Sequence, residues 1–311
     1  MKILLGAPLA TDLLAELQAT HPDAECIIAA TPEQVLAELP GSDIVFSRGF
    51  TDKMMAAADS IKFLQIPYAG MDRLPLAELD SRGVKLANAR IHGETIAELV
   101  MGMMLSLSRS FVEIHDNQRK HQWVRMPQKL LMDSTLALIG VGTIGNEIAK
   151  RAQAFGMKTL GFTRSGRSTG YLDEAYTTSD LMQHIGKADY VVVACPLTPE
   201  TLKLVNAQVF AAMKPTSYIL NIGRGPIIDE TAMIEALNSN QIAGAGLDVF
   251  EVEPLPETSP LWDMPNVLCF PHLAGNHEGS EQRAGRIFVD NVLRFVEGKP
   301  LRCEVDLKLG Y

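Results

Sequence analysis

The sequence predicts an α/β protein built as two doubly wound, parallel-sheet lobes. Three observations predict it. The chain has 311 residues, enough for roughly two domains of ~100–200 residues each. Short apolar runs alternate with helical patterns, the order that βαβ units produce. The alternation stops across a long apolar helix and a polar arm, then restarts at Thr135.

In the first lobe the expected strands are Ile3–Gly6, Glu25–Ala29, Ile44–Ser47, Phe63–Ile66 and Val84–Ala87. Helix starts lie between them. Thr11-Asp12 precedes Leu13 and Leu14. Thr31-Pro32-Glu33-Gln34 offers a cap, a proline at the first helical position and a glutamine three residues on. Thr51-Asp52 opens the helix through Ala58. A single apolar helix is expected over Gly93–Phe111, followed by an irregular arm or short helices over Val112–Met132. The second lobe restarts with strands at Thr135–Gly140, Lys158–Phe162, Tyr190–Ala194, Ser217–Asn221, Gly244–Asp248 and Val267–Phe270. A closing helix runs from Glu278 to Val296. With no Gly/Ser-rich linker in the chain, the domain boundary is expected inside the long helix near Glu98. Residues 1–99 and 284–311 then form one discontinuous domain and residues 100–283 the other.

Composition narrows the function. Hydrophobic residues make up 47% and charged residues 21%, the balance of a globular protein. Lys and Arg total 28 against 37 Asp and Glu, a net charge of −9 without a basic run. Such a surface is a poor partner for nucleic acid or an anionic membrane. Cys26, Cys195, Cys269 and Cys303 are far apart and form no CxxC pair, so neither a zinc site nor a disulfide framework is expected. The apolar run at the N-terminus is too short for a signal peptide. The run from Leu99 to Leu107 is too short to span a bilayer. A cytoplasmic chain without a metal is the expectation.

One segment carries a ligand signature. Gly140-Val141-Gly142-Thr143-Ile144-Gly145 is a GxGxxG that follows an apolar strand and opens an amphipathic helix, with a second strand beyond. That context is what a dinucleotide-binding turn requires. Gly140 allows the tight turn, Gly142 lets a pyrophosphate approach the backbone, and Gly145 lets helix and strand pack closely. The helix N-terminus then faces the phosphate charge. At the end of the second strand an NAD site carries Asp or Glu for the ribose hydroxyls. Here the chain reads Thr163-Arg164-Ser165-Gly166-Arg167. A hydroxyl and two arginines suit a 2′-phosphate, so NADP(H) is the favoured cofactor and NAD(H) the alternative.

Three later segments, Asn221-Ile222-Gly223-Arg224-Gly225-Pro226-Ile227-Ile228-Asp229, Gly246-Leu247-Asp248-Val249-Phe250-Glu251-Val252-Glu253-Pro254 and Asn266-Val267-Leu268-Cys269-Phe270-Pro271-His272, resemble the D-isomer-specific 2-hydroxyacid dehydrogenase family in order and spacing. The pattern is closest to its glyoxylate/hydroxypyruvate reductases and is densest from Gly140 to His272. The resemblance implies a Rossmann cofactor domain inserted in a flavodoxin-like substrate domain, with a cleft between lobes and a homodimer formed through the 112–132 arm. It makes Arg224, Glu253 and His272 the catalytic set. It extends the cofactor site to Thr143, Ile144, Cys195, Pro196, Thr201, Ile222, Gly223, Asp248 and Gly275. It gives Tyr68-Ala69-Gly70-Met71-Asp72 as a loop whose backbone N–H groups hold a substrate carboxylate, with Arg48 as a second cation.

The chemistry agrees with that set. Hydride transfer to a 2-oxo acid develops negative charge on the carbonyl oxygen. A protonated histidine must supply a proton there, and a cation must hold the carboxylate and polarise the carbonyl. A carboxylate behind the histidine fixes its tautomer. Glu251 is an adjacent rival to Glu253 for that role. The expected activity is reduction of small 2-oxo acids to D-2-hydroxy acids. The alternatives are a dinucleotide-sensing corepressor and a formate-type dehydrogenase. The latter pairs its histidine with glutamine, against which Glu253 argues. Asn276-His277 departs from the small hydroxyl residues more usual after the histidine.

Overall fold

The computed structural model describes residues 1–71 and 73–309. In chain order the elements are β1 (Lys2–Gly6), α1 (Thr11–Thr20), β2 (Glu25–Ile28), α2 (Pro32–Glu38), β3 (Ile44–Ser47), α3 (Asp52–Ala57), β4 (Phe63–Gln65), α4 (Leu76–Ser81), β5 (Lys85–Ala87), α5 (Gly93–Ser108) and α6 (Phe111–Arg119). They continue as β6 (Thr135–Ile139), α7 (Thr143–Ala154), β7 (Lys158–Thr163), β8 (Glu174–Thr177), α8 (Leu181–His184), β9 (Tyr190–Val193), α9 (Ala207–Ala212), β10 (Tyr218–Asn221), α10 (Glu230–Asn238), β11 (Gly244–Leu247), β12 (Val267–Cys269) and α11 (Ser280–Val296).

The chain divides into two compact units. One comprises Met1–His92 with His277–Tyr311, the other Gly93–Asn276. The sequence placed these divisions at 99/100 and 283/284. Helix α5 is not split, because its buried face, with Ile96, Ala97, Val100 and Met104, packs in one cluster with Leu136, Leu138, Ile148 and Ala149.

The first unit holds a five-stranded sheet ordered β2-β1-β3-β4-β5, every pair parallel. Strands β3 and β4 are buried along their whole length, as strands covered on both faces must be. Phe46 and Phe288 stack at 4.5 Å, tying α11 to β3. Thr31 and Gln34 form a reciprocal capping box on α2, and Thr51 caps α3. Thr11 does not cap α1; it is the first helical residue, behind an uncapped Ala10.

The second unit holds a seven-stranded parallel sheet ordered β12-β11-β10-β9-β6-β7-β8. The order reverses between β6 and β9, the crevice where open α/β sheets bind ligands. Strand β8 is a strand the sequence does not predict. Its four residues, Glu-Ala-Tyr-Thr, lie at the sheet edge with none fully buried, and so lack an apolar signal. The expected single helix over 93–111 ends at Ser108. Ser110 takes a left-handed φ of 50°, and α6 leaves at a 62° bend. Helix α6 has no buried residue, and Trp123 beyond it is 92% exposed. No single helix among the described residues is long and apolar enough to cross a membrane. Helices α5 and α6 pass that test only as a bent pair, of which α5 is a core helix.

Candidate active site

The glycine-rich turn sits at the sheet's reversal. Gly140 has φ +97°, and a Cβ there would stand 2.6 Å from the Cys195 nitrogen. The turn after β6 thus lies directly on the end of β9. A Cβ on Gly145 would meet the Gly140 carbonyl at 2.5 Å, so close helix–strand packing excludes any side chain there. At Gly142 a Cβ would meet nothing within 4 Å. Helix α7 begins at Thr143 and Ile144 with no side-chain cap and no acidic residue in its first turn. Its opening N–H groups therefore present positive potential toward that space.

At the end of β7, Thr163 Oγ1 is buried and meets no hydrogen-bond partner among the described residues. Arg164, Ser165 and Arg167 beyond it are exposed. Ser165 Oγ accepts from the Arg167 N–H at 3.4 Å. Arg164 lies close enough to Glu200 to help hold that carboxyl below its usual range, behind the larger effect of the Thr198 hydrogen bond. A nicotinamide dinucleotide fits these residues: an open approach at Gly142, a donor-rich helix start, and an orphaned hydroxyl where the ribose edge would lie.

Other expected cofactor residues have structural duties. Cys195 is buried, which pushes its thiol pKa up to about 12 and leaves it inert at neutral pH. The Thr201 hydroxyl donates to the Pro196 carbonyl at 2.7 Å and accepts from the Thr198 N–H at 2.7 Å, closing the loop after β9. Ile222 continues β10, with its N–H on the Val193 carbonyl. A Cβ on Gly223 would stand 2.8 Å from the Cys195 carbonyl.

Arg224 is placed by its neighbours. Asn221, 1% exposed, donates from Nδ2 to the Arg224 carbonyl at 3.0 Å and accepts the Gly223 N–H at 3.1 Å. Arg224 Nη1 donates to the Gly223 carbonyl at 2.8 Å. A side chain on Gly225 would fall inside the Phe250 carbonyl, so the loops after β10 and β11 lie back to back. Asn221 carries this geometry and had no assigned role in the sequence reading, although it opens the N-x-x-R-G segment.

Glu253 and His272 meet. His272 Nδ1 and Glu253 Oε2 are 2.8 Å apart, and Glu253 Oε1 accepts the Phe250 N–H at 3.1 Å. A carboxylate only accepts, so Nδ1 carries the proton toward Glu253 and Nε2 is the nitrogen not committed to it. Glu251 turns elsewhere: its carboxylate lies 3.7 Å from Lys203 Nζ, and its N–H donates to Glu230. His272 has a left-handed φ of 50°, a conformation costing a β-carbon residue ~1–2 kcal/mol. Asp248 holds it there. The His272 N–H donates to the Asp248 carbonyl at 3.0 Å, and the Asp248 carboxylate accepts from Leu273 at 2.9 Å and from Ala274 at 3.1 and 3.2 Å. Burial pushes the Asp248 carboxyl pKa up, and these N–H groups pull it back. Gly275 follows directly on this held turn.

In the first unit the Tyr68 carbonyl accepts from the Ala89 N–H at 3.2 Å and the Ala69 carbonyl from Asn88 Nδ2 at 3.1 Å. Ala69 and Gly70 donate no backbone hydrogen bond among the described residues. Asp72 lies outside the described residues. Arg48 Nη2 is 2.6 Å from Glu281 Oε1, an exposed pair. No group of three or more His, Cys, Asp or Glu among the described residues could hold a metal ion.

Comparison with known proteins points the same way. A family model described as "D-isomer specific 2-hydroxyacid dehydrogenase, NAD binding domain" matches residues 101–274. Glyoxylate/hydroxypyruvate reductase B of Citrobacter koseri is 35% identical over 271 residues, 84% of this chain and 82% of that protein. Glycerate dehydrogenase of Methylorubrum extorquens is 32% identical over 287 residues, 87% and 88% of the two chains. The solved NADPH-dependent glyoxylate/hydroxypyruvate reductase of Sinorhizobium meliloti, in complex with NADP and sulfate, superposes with a TM-score of 0.86. Its identity is 30%, and coverage is 100% of this chain and 99% of that one.

Proposed function

Because this chain belongs to the D-isomer-specific 2-hydroxyacid dehydrogenase family, we propose that it reduces small 2-oxo acids of the glyoxylate/hydroxypyruvate class to D-2-hydroxy acids. The observation that carries the reading is the His272–Glu253 pair at 2.8 Å, beside the Arg224 loop at the carboxyl ends of the sheet strands. The reductase names and the NADP complex of its relatives support the substrate class.

The bound nicotinamide supplies the hydride. Gly140, Gly142, Thr143, Ile144 and Gly145 would hold its pyrophosphate, and the loops after β9, β10 and β11 its remaining edge. Arg224 holds the substrate carboxylate and polarises the carbonyl, lowering the cost of the charge that develops there. His272, protonated on both ring nitrogens, donates its Nε2 proton to that oxygen and keeps the Nδ1 proton on Glu253, which holds the ring turned for the transfer. The Ala69 and Gly70 N–H groups of the first unit are themselves suited to hold a carboxylate. A panel of glyoxylate, hydroxypyruvate, pyruvate and bulkier 2-oxo acids, followed by loss of cofactor absorbance, tests the reading. Binding of NADPH with no turnover of any acid would instead favour a sensor.

NADP(H) is the proposed cofactor, supported by the absence of a carboxylate at Thr163–Arg167 and by the orphaned Thr163 hydroxyl. Charge-assisted hydrogen bonds are worth ~1.5–3 kcal/mol each. Arg164→Ala is therefore expected to raise KM for NADPH by roughly ten- to hundredfold and that for NADH far less. A wild-type preference for NADH would overturn the assignment.

A homodimer is proposed through the 112–132 arm, where Val112, Trp123, Leu130 and Met132 are exposed. Large apolar side chains left this exposed are candidates for cover by a partner. Sedimentation of the wild type is expected to give a dimer and of Trp123→Asp a weaker one. A monomeric wild type at micromolar concentration would refute it.

A further inference from the structure

A buried amide side chain is costly unless its hydrogen bonds are met. The five-stranded unit carries three in one chain of contacts. Gln65 ends β4, Asn88 follows β5 and Asn291 lies on α11; they are 0%, 3% and 0% exposed. Asn291 is fully engaged: Nδ2 donates to Gln65 Oε1 at 2.8 Å and to the Arg302 carbonyl at 3.0 Å, and Oδ1 accepts the Arg302 N–H at 2.7 Å. Gln65 Nε2 donates to the Asn88 carbonyl at 3.0 Å. The Asn88 N–H donates to the Cys303 carbonyl at 3.1 Å. From this anchored backbone, Asn88 Nδ2 reaches out to the Ala69 carbonyl at 3.1 Å. Its Oδ1 is buried with no partner among the described residues. Holding the donor on Ala69 thus comes with an unmet acceptor, a cost that packing alone would not favour.

The direction of that bond matters. In a planar trans peptide, the C=O and the N–H of the next residue point opposite ways. Ala89 and Asn88 draw the Tyr68 and Ala69 carbonyls toward the β5 end. The N–H groups of Ala69 and Gly70 are thereby turned away from β5, and neither donates to a described residue. We propose that Asn88 is a positioning residue for the substrate carboxylate: through the Ala69 carbonyl it aims the Gly70 N–H, with Gln65 and Asn291 as its anchor. The inference rests on reading the chain as a 2-oxo acid reductase.

Asn88→Asp keeps the side-chain shape and withdraws the donor; Asn88→Ser is too short to reach Ala69. Steady-state kinetics with glyoxylate and hydroxypyruvate, NADPH binding by fluorescence, and thermal melting are measured on both. The expected result is a KM for the acid raised roughly three- to tenfold, the size of one hydrogen bond. The inhibition constant of oxalate rises in parallel, while kcat and NADPH affinity stay close to wild type. An unchanged KM in a folded variant overturns the proposal. So does a parallel loss of kcat, NADPH affinity and melting temperature, which marks a structural role only. If neither variant folds, the side-chain amide protons of Asn88 in the wild type decide. Oxalate added with NADP+ should shift them, and unshifted signals overturn the proposal. Wild-type protein that reduces no 2-oxo acid defeats the reductase reading instead, a separate outcome visible before any variant is made.

Discussion

Replacing His272 with alanine is expected to lower kcat for 2-oxo acid reduction by ~10²–10⁴-fold, the range for a lost general acid. The argument starts from the Glu253 bond. With Nδ1 committed to a carboxylate at 2.8 Å, Nε2 is the one imidazole nitrogen left to give a proton. Alanine leaves water to protonate the developing alkoxide. NADPH affinity should be unchanged, because the glycine-rich turn and the β7 end do not involve residue 272. Single-turnover mixing of enzyme–NADPH with glyoxylate isolates the chemical step from product release. Near-normal turnover of every accepted acid would remove His272 from the mechanism.

The second large effect is at Glu253. Glu253→Ala frees the ring to rotate and to take the other tautomer, and kcat should fall by on the order of 10²–10⁴-fold, as for other carboxylate–histidine pairs. Residues that act as one unit are not additive. The His272→Ala, Glu253→Ala double variant should therefore be about as slow as His272→Ala alone. Glu253→Ala also leaves the Phe250 N–H without its acceptor, a stability loss of ~1–3 kcal/mol that melting should register. Glu251→Ala is the control. That carboxylate lies toward Lys203, and its loss should leave kcat near wild type. Equal damage from both variants would mean the two acids share a structural duty and neither orients the histidine.

The outline of these sites was legible in the sequence where a local rule had a single physical meaning. A buried parallel strand needs a run such as Tyr190–Val193, and a turn that touches the next strand needs a glycine at 140. The spacing of Glu253 before Pro254 favoured it over Glu251, yet only the fold could show which carboxylate turned to His272. What the sequence left dark depended on partners far along the chain. Strand β8 is defined by pairing at an edge, not by its own hydrophobicity. Asp248 reads as a ligand group at a strand end, and its carboxylate holds the Leu273 and Ala274 backbone. Thr201 reads the same way, and its hydroxyl closes its own loop. Arg48 meets Glu281, 233 residues away. The amides of Gln65, Asn88 and Asn291 carry no motif and become visible only once three elements bury them together.

The contact of Gly225 with the Phe250 carbonyl has a mechanical consequence. It locks the arm that bears Arg224 to the arm that bears Glu253, and Glu253 in turn grips His272. The Arg224 loop and the Glu253–His272 pair are therefore seated like gauge blocks: neither can be advanced toward the other without displacing it. Drift toward larger or differently shaped acids cannot proceed by re-spacing these two groups. Under the proposed reductase reading it has to be absorbed elsewhere, and Arg224, Glu253 and His272 pass on as one piece.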